Sequence, residues 1–92
     1  MRRADRLRAR LQQAFQPVAI EIIDESGRHA GHQEHFDGSG ETHLRIRIVA
    51  DAFAGMSRVE RHRAVNRLAA EELAAGLHAL AIEARTPAEA GR

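Results

Sequence analysis

The sequence predicts a small α+β domain, on three observations. The chain has 92 residues, enough for one modest hydrophobic core, so it is read as one domain over 1–92. Segments 18–24 and 42–50 alternate apolar and polar residues, and 77–85 is a third strand. Segments 2–15 and 57–75 space their apolar residues as helices do.

The first helix carries Ala4, Leu7, Leu11, Ala14 and Phe15 on one face and Arg2, Arg3, Arg6, Arg8 and Arg10 on the others. Pro17 ends it. In the first strand Val18, Ile20 and Ile22 share a face. A long polar connection follows over 25–41, with glycines at 27, 31, 38 and 40. Connections of that length in a compact chain are often functional.

In the second strand Leu44, Ile46 and Ile48 oppose His43, Arg45 and Arg47, which fits a sheet covered on one side. Ser57 and Glu60 have the spacing of a capping box and open the next helix. Its apolar stripe is Val65, Leu68, Ala69 and Leu73, with His62 on the margin and Arg63, Arg67 and Glu71 outward. Gly76 suits the position just past its end. In the third strand Leu80 and Ile82 take the core parity, which His78 shares, so a half-buried His78 is expected. Thr86 and Pro87 have the makings of a capped last turn. The order is α-β-β-α-β(-α), a three-stranded mixed sheet with helices on one face. The first two strands should pair antiparallel, and the crossover should make the third parallel to the second.

Six histidines are the unusual feature of the composition. The expected topology draws most of them to one end of the sheet. His43 and His78 start the second and third strands, beside the connection that carries His29, His32 and His35. The ordinary reading of these three is solvated loop histidines, and their spacing without cysteine is a weak zinc signal.

Bulk chemistry excludes several functions. The chain has no cysteine, so it forms no disulfide and supplies no thiolate. That is compatible with the cytoplasm, the expected compartment. No apolar run has the length of a membrane span. Net charge is +1, and all 14 Lys+Arg residues are Arg, a mild basic balance. Aromatics are 3%, too few for a platform on which bases stack. No serine lies in a nucleophile motif such as G-x-S-x-G, so no enzyme is expected.

The motifs form a recognisable series. Asp24-Glu25-Ser26-Gly27-Arg28-His29 resembles the "NES..H" segment that closes the first strand of BolA proteins. Gly40-Glu41-Thr42-His43-Leu44 is similar to their "G-E-[ST]-H-F", and the run from Val49 to Ser57 to "VS..F.G.S". Glu60-Arg61-His62-Arg63-Ala64-Val65 resembles "QRHR.V", Glu72-Leu73 "EL", Leu77-His78-Ala79-Leu80 "VHAL", and Arg85-Thr86-Pro87 "TP". The series runs in order from about Ile20 to Glu89.

The resemblance implies a class II KH-like fold and partnership with a monothiol glutaredoxin. It implies a shared 2Fe–2S cluster held by the glutaredoxin cysteine, a glutathione thiol and histidine from this chain. The family's C-terminal ligand falls on His78. The second comes from the hairpin loop, at His29 by position, with His32 and His35 as substitutes. The isolated chain would hold no cofactor and be a monomer, forming a heterodimer with its partner. Imidazole in place of thiolate removes negative charge from a cluster and raises its potential. It also makes ligation compete with protons.

The rival expectation is a DNA-binding transcriptional regulator, with Arg58, Arg61, Arg63 and Arg67 on phosphates. Against it, the KH clamp needs G-x-x-G, and the corresponding turn is Ala54-Gly55-Met56-Ser57.

Overall fold

The computed structural model describes residues 2–26 and 42–91. Helix α1 (Arg3–Phe15) leads into strands β1 (Ala19–Asp24) and β2 (His43–Val49). A 3-10 turn (Asp51–Phe53), helices α2 (Arg58–Leu68) and α3 (Ala70–Ala74), and strand β3 (Ala79–Arg85) follow. Strand order is β1-β2-β3, with β1 antiparallel and β3 parallel to β2. The expected topology is the one found.

Alternation sets which face is covered. Leu44, Ile46 and Ile48 are buried on the helix side. Ile46 and Ile48 form a cluster with Leu11, Phe53 and Val65, against which Ile20, Ile22, Leu80 and Ile82 pack. Leu44 joins a second cluster with Leu7, Ala69 and Leu77. Each fully buried aliphatic side chain contributes about 1.5–3 kcal/mol relative to exposure. The opposite face carries a charge ladder instead, in which Glu21 stands across from Arg47 and Arg47 from Glu83. α1 stops where Gln16 turns left-handed, at φ 48°, just ahead of Pro17.

One expectation fails. The segment 57–75 is not a single helix but α2 and α3, broken at Ala69 with φ −94° and ψ 0°. The Ala69 N–H turns back to the Asn66 carbonyl at 3.0 Å, a tightened last turn. Glu72, beyond the break, is buried against α1. Its carboxylate receives Arg6 Nε at 2.8 Å and Arg3 Nε at 3.1 Å. Arg10 takes Glu71 at 2.9 Å, so three of the helix's arginines serve as ties to α3. Gly76, at φ 123°, lets Leu77 N–H reach the Glu72 carbonyl, an end that a side chain would strain.

The chain terminus is also capped. Glu89 N–H donates to Thr86 Oγ1, while Thr86 N–H donates to the Glu89 carboxylate at 2.8 Å. This is the hydrogen-bonded turn expected after Thr86.

Candidate functional site

The parallel pairing of β2 with β3 brings two distant histidines to one corner. The Thr42 carbonyl accepts from His78 N–H at 2.8 Å and from Ala79 N–H at 3.1 Å. The two backbones are thereby locked at the point where both strands begin. The imidazoles of His43 and His78 lie edge to face, with centroids 6.0 Å apart. Thr42 Oγ1 sits 3.0 Å from His43 Nδ1 and helps fix that ring. His43 is half-buried.

His78 is exposed, not half-buried as its parity with Leu80 suggested. The reason is position: it precedes the first residue of β3, so the alternation of the strand does not extend to it. The burial expectation is corrected; the expected neighbourhood with His43 is found.

The same corner receives both ends of the hairpin connection. Glu25 N–H donates to the His43 carbonyl at 2.7 Å, and Asp24 pairs with Leu44. The Asp24 carboxylate accepts from both the N–H and the hydroxyl of Ser26, holding the outgoing turn. Glu25 is tied by Arg45 Nε at 2.9 Å, and Arg45 also reaches Glu83 at 2.9 Å. That double pairing raises the Arg45 pKa, first through the Glu25 hydrogen bond, and depresses Glu83. Arg45 is therefore a strut of the open sheet face. His29, His32 and His35 lie outside the described residues. Among those described, no group of three or more His, Cys, Asp or Glu could hold a metal ion.

The four arginines of the nucleic-acid reading divide. Arg58, Arg63 and Arg67 are exposed on α2. Arg61 is a correction: only 8% of it is exposed. Its guanidinium donates to the carboxylate of Glu89 and to the carbonyls of Met56 and Ala84. It tethers the C-terminal turn and is not available to phosphate. A signal was present, since Arg61 stands four residues before Val65 on the apolar stripe. Sequence reasoning missed its partner Glu89 and missed Glu72. Arg61 and the Thr86 cap hold Glu89 at a pKa of about 2.

Residues 11–89 match the family model described as BolA-like protein. The chain belongs to the BolA family.

Two relatives and one solved structure illustrate the span of the family. SufE-like protein 1, chloroplastic/mitochondrial, of Arabidopsis thaliana is 48% identical over 90 residues, which are 95% of this chain and 24% of the relative. The DNA-binding transcriptional regulator BolA of Escherichia coli is 38% identical over 82 residues, 89% of this chain and 73% of that one. The structure of BolA1 from Arabidopsis thaliana superposes with a TM-score of 0.81 at 44% identity, covering 97% of this chain and 96% of its own. The BolA fold thus accounts for nearly the whole chain, whereas it is about a quarter of the SufE-like relative. Among the described residues no helix is long and apolar enough to cross a membrane.

Proposed function

We propose that this BolA-family chain acts without an enzymatic site of its own, lending histidine to a 2Fe–2S cluster shared with a monothiol glutaredoxin and glutathione. The observation that carries the reading is the corner itself. An exposed imidazole, His78, stands on a backbone pinned by Thr42, beside the ends of a histidine-rich connection. A ligand to a metal centre on another protein must be exposed and yet fixed, and His78 is both.

The donor set fits a cluster that must be completed from outside. The chain has no cysteine, so it cannot supply thiolate. His78 would be one ligand, with His29 the second and His32 or His35 in reserve. Imidazole ligation would give the cluster a higher potential than thiolate alone. His43 and Thr42 would orient the corner, and the Asp24–Ser26 turn would set where the loop departs. We assign the protein to iron–sulfur trafficking or iron and redox regulation. A reducing compartment such as the cytoplasm suits a partner that needs free thiols.

The test is titration of the purified chain into cluster-loaded monothiol glutaredoxin with glutathione, followed by visible circular dichroism. A new spectrum should grow in and saturate at one chain per glutaredoxin. A spectrum that stays that of the glutaredoxin alone sinks the reading.

A second reading is DNA binding. It is favoured by the exposed Arg58, Arg63 and Arg67 on α2 and by the likeness to the E. coli regulator. It now rests on three arginines instead of four. Steep loss of affinity with salt would support it.

A further inference from the structure

A second surface lies at the opposite end of β3 from His78. Between the first turns of α2 and the second half of β3 runs an open groove of about 1020 Å³. Four arginines and two glutamates line it, with Met56, Ile82 and Ala84 between them. The glutamates are already answered, Glu89 by Arg61 and Glu83 by Arg45. Arg58 and His62 form no ion pair among the described residues, and Arg85 lies 3.9 Å from the shared Glu83. The groove therefore holds surplus positive charge, directed at whatever lies in it.

Its floor is a strand edge. Ala79 N–H donates to Thr42, and the Arg85 carbonyl accepts from Ala50 N–H, so the odd residues of β3 turn their peptide groups toward β2. Leu80, Ile82 and Ala84 then turn theirs to the free edge. Arg61 caps the Ala84 carbonyl at 3.2 Å. Within the groove, the Ile82 peptide groups and the Ala84 N–H have no partner on that side among the described residues. An unpaired edge is a template for another strand.

We propose that this groove receives an extended acidic segment of a partner protein, which adds alongside β3 at Ile82–Ala84 and sets its carboxylates against Arg58 and Arg85. A peptide suits the surface better than a single nucleic-acid strand. Among the described residues the His62 imidazole is the one ring lining the groove, and Phe15 and Phe53 pack on each other in the core, so the run of stacking rings that a single strand needs is not offered. Peptide groups at the edge can be matched by another peptide, and alternate carboxylates by the arginines.

The test uses the apo chain, with neither glutaredoxin nor cluster, so its result is independent of the histidine reading. ¹⁵N-labelled protein is titrated with a capped octapeptide of alternating Glu and Val, with its Gln–Val counterpart, and with an oligothymidylate of eight nucleotides. The acidic peptide should shift the amides of Ile82 and Ala84 and bind more tightly than the Gln peptide. Arg58→Glu with Arg85→Glu should weaken it about fivefold or more. Both side chains are exposed, and Arg58→Glu alone should give a smaller loss in the same direction. Equal binding of the neutral peptide, shifts confined to other elements, or oligothymidylate displacing the acidic peptide from β3 would each overturn the proposal.

Discussion

The rings of His43 and His78 meet edge to face at the point where two parallel strands begin, their centroids 6.0 Å apart. Neither residue is near the other in the chain. They meet because the Thr42 carbonyl takes two β3-side amides, His78 and Ala79, and so sets the register of the whole parallel pair.

His78→Ala should abolish the visible spectrum shared with glutaredoxin while leaving the fold intact. The side chain is exposed, so its loss should cost within about 0.5 kcal/mol, the usual range for surface positions. Thermal unfolding should move by less than about 4 °C. His29→Ala should be milder in spectrum, because His32 or His35 can take its place. A His78→Ala protein with an unchanged cluster spectrum means that the ligand lies elsewhere.

Glu72 should govern acid stability. Hydrogen bonding to Arg6, helped by Arg3, holds its carboxyl at about 2, against an ordinary 4.5. Because the folded value is depressed, the stabilisation is fully present above about pH 4.5 and disappears as the pH falls toward 2. Linkage gives it a size of about 2–3 kcal/mol, after allowance for the partly exposed Arg6. Glu72→Gln should therefore lower stability by about that amount at pH 7 and flatten the acid limb of a pH–Tm profile. An unchanged limb would mean that another carboxylate controls it.

Arg61 and Arg63 should part company. Arg61→Ala removes the partner of Glu89 and the donor to the Ala84 carbonyl, and should cost about 2 kcal/mol in urea denaturation. Arg63→Ala should leave stability almost unchanged. If the protein binds DNA through phosphate, Arg63→Ala and Arg67→Ala should each reduce the salt slope by about 1. Loss of affinity in Arg61→Ala alone, at the temperature where it unfolds, would reflect the fold and not the interface.

Leu11→Ala should cost about 3 kcal/mol, as it opens a cavity among Ile46, Phe53 and Val65. A negligible change would mean that α1 is dispensable to the core, contrary to its full burial.

Much of this was legible in the residues. Alternation in 42–50 named the covered face of the sheet, since side chains a strand presents two residues apart share an environment. Ser57 and Glu60 named the start of α2, and both reciprocal bonds of that capping box form. The motif series from Asp24 to Pro87 carried the family. These are local signals, readable within a few residues.

What tertiary structure alone decided depends on groups far apart in the chain. The arginines of α1 read as a basic surface, yet Arg3, Arg6 and Arg10 close on Glu71 and Glu72 across the helix layer. Periodicity ran unbroken through Ala69, whereas the folded chain breaks the helix there, and Glu72 beyond the break is held by Arg3 and Arg6 of α1. Arg61 looked like its exposed neighbours, yet the fold buries it and pairs it with Glu89. A charged side chain's environment is set by whichever opposite charge the fold delivers to it, and that pairing has no local period to read. The corner of His43 and His78 has the same origin: local patterning places a histidine at each of two strand starts, and the parallel register brings the two rings together.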